Sequence, residues 1–436
     1  VWAQFDPANS TQFDFNQAWV KSLGISFSVG MDGLSILLVL LTTFLVPLII
    51  LSTFEREYKN PLAFYALILL MQAGLIGVFV AKDAFLFYIF WELGLIPIYF
   101  ISLLWGGENA KAITFKFFIY TLAGSLLMLF ALFYLYTQTP GEHSFAIQAF
   151  YDLSLDASTQ SWLFWCIFIA FAIKAPLWPF HTWLPTAAKS ATAGTSTLLL
   201  GVLDKVGTYG MIRFCMSFFP DATKTFTPAI ITLAVISILY GAFLAIGQKD
   251  INSLIAFTSI SHFGFITLGI FALTSQSLTG AIFYMVNHGF STAALFLTAG
   301  WMIKRRGSTQ IADFGGLQRV APVLAWSFFL AGMSALALPG LSSFVSEFLV
   351  LVGSYAKYPV AAILGTLGII LAALYVLLAV QRALHGETPA TSAGISDLNL
   401  REKIAIAPVI AVLVLLGFYP KPALEVINPT TKSVMI

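Results

Sequence analysis

The stretch FAIKAPLWPFHTWLP, residues 171–185, places a lysine inside an apolar run and then interrupts that run with three prolines. A proline removes a backbone donor and clashes with the carbonyl four residues earlier. Pro176 and Pro179 therefore free several polar backbone groups in a segment otherwise greasy enough for lipid. Such groups are tolerated at membrane depth only inside protein or beside water. The stretch reads as a broken membrane helix that opens a wet pocket with Lys174 at its edge. A lysine so placed is able to gain and lose protons, and a nearby carboxylate would hold it charged. His181, just beyond, reads as an interfacial residue.

The rest of the chain agrees with a membrane setting. It is 59% apolar and only 10% charged, against roughly 25% charged for a soluble domain. Apolar runs near the ~20 residues that cross a hydrocarbon core recur along nearly all of it. Twelve spans are expected, at 29–53, 62–81, 84–104, 113–136, 161–185, 191–217, 227–247, 252–274, 278–303, 323–356, 359–383 and 403–420. Cys166 and Cys215 both fall within these runs, which argues against a disulfide framework or a metal cluster. No signal peptide is visible, and the chain starts at Val1 with a mixed, fairly polar stretch. Lysine and arginine are in excess on the connections opposite that start, among them Arg56, Lys59 and the run Lys304, Arg305, Arg306. The positive-inside rule puts that side in the cytoplasm, matrix or stroma.

Setting aside the loop charges leaves Glu92, Lys174, Asp204, Lys205 and Glu347 near mid-span, joined by His262 and His288. Each charge costs about 2.5–3.5 kcal/mol at a helix centre on insertion scales. One such residue is as readily a structural pair as a functional group; a set that repeats is harder to explain that way. The set does repeat. WELGLIPIYF (91–100) aligns with SHFGFITLGI (261–270), Glu92 over His262. The broken LALPGLSSFVSEF (336–348) stands to Glu347 as the first break stands to Lys174, and FFIYTLAGSLLMLF (117–130) faces FYMVNHGFSTAALF (283–296). Weak internal symmetry with an interrupted span in each half is the mark of inverted-repeat transporters. The expected fold is an all-α polytopic membrane protein with inverted five-helix repeats and two discontinuous helices. Its divisions are an outer-side loop (1–28), a helix and connection (29–60), two half-channels (61–217 and 227–386), and a last helix with a C-terminal tail (387–436).

No CxxC pair, phosphate-binding glycine loop or trustworthy Ser/His/Asp order is present, so the chain reads as moving something rather than making covalent bonds. The long motifs FAIKAPLWPFHTWLPTAAKSATAGTSTLLLGVLDKVGTYGMIRF, LIAFTSISHFGFITLGIFA, MVNHGFSTAALFLTAG and LALPGLSSFVSEFLVLVGSY closely resemble the antiporter-like subunits of complex I, the proton-pumping NAD(P)H–quinone oxidoreductases. The resemblance runs from about residue 15 to 420 and is nearest to the M-type chain, chain 4, which carries glutamate at position 347 where its sisters usually carry lysine. FYIFWELGLIPIYFISLLWGG looks closest to the photosynthetic branch of cyanobacteria and plastids, with a thylakoid location and plastoquinone as acceptor; a bacterial plasma or mitochondrial inner membrane is the alternative. The family has fourteen spans, so the resemblance implies two helices ahead of those seen here.

The resemblance also implies roles. Glu92 would pair with Lys174, Lys205 would be the central relay lysine, and His262 and His288 would bridge the half-channels through water. Glu347 would carry protons on the exit side. Lys116 has a family counterpart near a helix end, where snorkelling is an equal explanation. Asp204 departs from the apolar residue usual there; it reads as a local counter-ion that faces away from Lys205 at its one-residue offset. No cofactor or metal is expected on this chain: flavin, iron–sulfur clusters and quinone sites would lie on partner subunits. Other membrane-arm subunits, sister antiporter-like chains and lipids are the implied partners, the electron-transfer arm acting indirectly, with no role for nucleic acid. The rivals are a subunit of a multi-subunit cation/proton antiporter, the membrane part of an energy-converting hydrogenase, and an inert scaffold whose charges only fix helix packing.

Overall fold

Apolar runs in lipid must satisfy every backbone group internally, and helices do this within one segment. The computed structural model describes residues 2–9, 11–54, 58–390 and 392–434, which are mostly helical. Val1 and Arg56 lie outside the described residues. A two-stranded antiparallel hairpin comes first, β1 (Gln12–Val20) and β2 (Ile25–Met31), with Asn16 opposite Ser28. The region read as an outer-side loop is therefore largely a hairpin, turned by Gly24 at φ 61.

The first group of helices is α1 (Gly33–Thr53), α2 (Pro61–Val80), α3 (Ala84–Trp105), α4 (Ala110–Gln138), the short α5 (Ile147–Tyr151), α6 (Ala157–Lys174) and α7 (Trp183–Ser190). A continuous helical column then covers 193–216: α8 (Ala193–Leu198), a π-helical segment Leu199–Leu203, α9 (Lys205–Gly210) and a second π-helical segment Met211–Met216. The remainder is α10 (Pro220–Ile246), α11 (Ile251–Phe271), α12 (Ser275–Arg306), the short α13 (Leu317–Val320), α14 (Pro322–Ala335), α15 (Ser342–Tyr355), α16 (Pro359–Leu384), α17 (Leu400–Phe418) and α18 (Lys421–Val434).

Among the described residues nine helices are long and apolar enough to cross a membrane, or ten if the pair α17 and α18, bent by 70°, is one span. The expected runs 191–217 and 323–356 are not single α-helices: the first contains the two π segments, and the second is split between α14 and α15. The stretch after 420, read as a tail, forms α18.

Loop acids have a local explanation. Asp32, Asp83, Asp156 and Asp250 are the N-caps of α1, α3, α6 and α11, each accepting backbone N–H groups of the first turn. Such caps satisfy donors that a helix start leaves open and set a negative charge at the positive end of the helix dipole. Inside the helices, hydroxyls bond back to carbonyls four residues earlier, as Thr42 does to Leu38 and Thr258 to Leu254. α11 and α12 lie at the centre, almost wholly enclosed by the others. The α8–α9 column and α12 cross closely: a Cβ on Gly289 would stand 2.8 Å from the Gly201 carbonyl oxygen. That crossing positions the site.

Candidate functional site

Lys174 is the last residue of α6 and is buried, its ammonium 4.6 Å from the centroid of the Trp91 ring. The Trp91 indole is itself held by donation to Ser125 Oγ at 2.9 Å. The helix break that follows is closed by protein groups. Trp178 N–H donates to Ser237 Oγ on α10 at 2.8 Å, the Trp183 indole to the Ile173 carbonyl at 2.9 Å, and Lys116 Nζ to the Thr182 carbonyl at 3.0 Å. Lys116 thus lies at the far side of the break from Lys174 and sets its charge on the carbonyl of Thr182, the residue that opens α7. His181, read as interfacial, is buried against the Tyr240 ring with Nδ1 lacking a partner.

The expected Glu92–Lys174 ion pair is not formed among the described residues. Successive residues on an α-helix point about 100° apart. With Trp91 turned to Lys174, Glu92 turns towards α4, where it lines a cavity of about 220 Å³ with Tyr99 and Thr121. Glu92 is half-buried, with Oε1 unpartnered, and remains within electrostatic reach of Lys174, as does Asp204.

Lys205 sits halfway along the column 193–216 and is fully buried. Its Nζ donates to Asp204 Oδ1 at 2.8 Å and to the Leu200 carbonyl, and it meets His288 Nδ1 at 2.7 Å. Asp204 does not face away. The preceding segment is wound as a π turn, with Asp204 N–H reaching back to Leu199. The lysine stem folds back along this turn to the Leu200 carbonyl, and the aspartate meets it there. Asp204 Oδ2 is buried without a partner.

His288 Nε2 stands 3.2 Å from Thr292 Oγ1, one turn along α12. The His262 ring lies 5.4 Å from that of His288 and 5.7 Å from that of Tyr284. Tyr284 donates its hydroxyl to Glu347 Oε1, and Glu347 Oε2 has no partner. The second break is held from α12 as well: Asn287 Nδ2 donates to the Ser342 carbonyl at 3.0 Å and to Ser346 Oγ at 3.2 Å.

The fold therefore gathers Asp204, Lys205, His288, His262 and Glu347 into one buried sequence of groups, with Lys174 and Glu92 beside it and Lys116 beyond the first break. Sequence reasoning passed over Tyr284 and Asn287, although both stand in FYMVNHGF, Tyr284 one helical turn before His288 and Asn287 directly before it. The structure places Arg213, half-buried, in the second π segment, paired with the α1 cap Asp32 and donating to Tyr209 OH at 3.2 Å.

Residues 81–373 match the family described as NADH:quinone oxidoreductase/Mrp antiporter, transmembrane. The NADH-quinone oxidoreductase subunit M of Mycobacterium tuberculosis is 43% identical over 474 residues, spanning 100% of this chain and 86% of that protein. The subunit M of Rhodobacter capsulatus is 40% identical over 440 residues, spanning 98% of this chain and 85% of that protein. Among solved structures, a chain of respiratory complex I from Thermus thermophilus superposes with a TM-score of 0.90 at 31% identity, covering 98% of this chain and 91% of that one. A chain of the Mrp complex from Dietzia shares the fold, with a TM-score of 0.88 at 22% identity, 98% of this chain and 88% of that one.

Proposed function

Because the chain belongs to the family of NADH:quinone oxidoreductase/Mrp antiporter membrane subunits, we propose that it is the M-type membrane-arm subunit of a proton-pumping NADH–quinone oxidoreductase. Protons move through its buried side chains, driven by redox chemistry in other subunits. The observation that carries this reading is the direct contact of Lys205 Nζ with His288 Nδ1, two fully buried titratable groups on crossing helices. Ionisable residues inside a membrane bundle mark ion and proton pathways, because their cost is otherwise uncompensated.

In this reading protons arrive from the inner side, where a cavity of about 480 Å³ is lined by Lys189, Thr192, Asn252 and Lys304 among others. They pass Lys174 and Lys205, cross to His288 and His262, and reach Glu347. Glu92 stabilises the Lys174 ammonium when the lysine swings towards it, and withdrawal of that carboxylate pushes the proton onward. Sister antiporter-like subunits and other membrane-arm subunits are the partners, and redox cofactors belong to them. The relatives reported are bacterial, so a bacterial energy-coupling membrane is the favoured location; the thylakoid reading rests on the 87–107 stretch alone. An antiporter that exchanges cations without a redox partner is the second reading, favoured by the shared fold and set against the higher identity to subunit M proteins.

The test is Lys205→Ala in the assembled complex, with NADH-driven proton uptake by inverted membrane vesicles measured beside quinone reduction. Loss of uptake with quinone reduction retained is expected. Unchanged uptake would remove Lys205 from the relay.

A further inference from the structure

We infer that Asp204 is a bridging carboxylate that takes the proton from Lys174 and hands it to Lys205, a step that rests on the relay reading above. The backbone geometry comes first. A Cβ on Gly207 would stand 2.6 Å from both the Ala175 amide nitrogen and the Phe171 carbonyl oxygen. α9 therefore lies backbone against backbone on the C-terminal end of α6, where Lys174 is the final residue. Residues three apart share a helix face, so Asp204 and Gly207 both face that end of α6. Lys205, one position on, is turned towards α12 and reaches His288. Asp204 thus stands between the two lysines.

Its bonding fits that place. Oδ1 is engaged by Lys205 Nζ at 2.8 Å, while Oδ2 is buried and has no partner. Lys174 lies within electrostatic reach of Asp204, and its ammonium is engaged on the face of Trp91. The contact with Lys205 thus occupies one carboxylate oxygen and leaves the other open. The lysine's flexible four-carbon stem makes the remaining approach a change of rotamer.

The proton balance is simple. Lys205 ammonium first passes a proton to His288 Nδ1 and becomes a neutral amine. Lys174 ammonium then gives a proton to Asp204 Oδ2, leaving a neutral amine and a carboxylic acid. The acid gives up one proton to Lys205, restoring carboxylate and ammonium, and Lys174 is refilled from the inner side. No oxidant, reductant or other reactant is needed.

The experiment compares Asp204→Asn, Asp204→Glu and Lys205→Ala in the assembled complex. Proton uptake by inverted vesicles is measured beside quinone reduction, and redox-induced infrared difference spectra are recorded in the carboxyl region. Expected are quinone reduction retained in Asp204→Asn, proton uptake reduced to the level of Lys205→Ala, and recovery in Asp204→Glu. A carboxyl band present in the unaltered complex should vanish in Asp204→Asn and shift in Asp204→Glu, a signal that a packing role would not produce. Full uptake in Asp204→Asn together with loss in Lys205→Ala overturns the bridge and leaves the relay standing. Full uptake in both overturns the relay reading itself. If Asp204→Asn does not assemble, the band decides: one that shifts in Asp204→Glu supports the bridge, and no such band overturns it.

Discussion

α12 and α16 differ in the opposite sense to helices of a water-soluble protein. The most apolar window of α12 is wholly enclosed, yet its mean hydropathy is only 1.2; that of α16 is 39% buried at 2.6. In water the enclosed helix would be the greasier one. In a bilayer the surrounding chains are as apolar as leucine, so burying apolar surface between helices gains little, and close packing and interhelical hydrogen bonds take over. α12 accordingly carries Tyr284, Asn287, His288 and Thr292, each with a polar partner or neighbour across the bundle or one turn along it. α16 shows Ile363 and Ile370 to the outside, more than half exposed. The interior is where this chain keeps its chemistry, and the exterior is where it meets lipid.

This contrast can be broken or sharpened by substitution. The largest effect on stability is expected at the C-terminal end of α12, where the Arg305 guanidinium forks onto both oxygens of the buried Glu402, one contact at 3.0 Å. Arg305→Ala leaves that carboxylate without its counter-ion, held by the Asn399 N–H at 3.0 Å, and should cost about 3–5 kcal/mol, read as a lower melting temperature of the detergent-solubilised complex. Next comes the exterior: Ile370→Asp should impair membrane insertion by about 2.5–3.5 kcal/mol, while Ile370→Ala stays within about 0.5 kcal/mol. Yield of the membrane-integrated chain distinguishes the two, and tolerance of the aspartate would end the comparison drawn above. Smaller than either, Tyr284→Phe keeps the ring but strips Glu347 of its donor, for about 1–3 kcal/mol. Thermal unfolding checks that cost, and proton uptake in the same preparation should fall with it.

How much of this was legible beforehand depended on whether a residue announces itself by chemical type or by direction. Lys174, Lys205, His262, His288 and Glu347 stand out because each is polar in an apolar run. Both breaks stand out because proline and glycine punctuate helices; Gly340 indeed has φ +93. Direction was harder to read. Glu92 and Trp91 are neighbours in sequence, and only the packing of α3 decides which of them meets Lys174. Tyr284 reads as ordinary aromatic core until its hydroxyl is seen on Glu347. The Asp204–Lys205 contact depends on a π turn, which no hydrophobic period encodes. The hairpin was missed because QFDFNQAWV mixes polar and aromatic residues, and seven of its nine are exposed. α18 was missed because Pro429 sits inside it.

The π winding of Leu199–Leu203 also bears on which genetic changes this chain tolerates. A π turn holds one residue more than the α turn it replaces, so everything after it is carried round by an extra step. Deleting a single codon there would let the column relax to plain α-helix and rotate the Asp204–Lys205 pair by about 100°, out of phase with α12. A frame-preserving loss of one leucine, which barely alters composition or hydropathy, would therefore be more damaging than most exchanges of that leucine for another apolar residue.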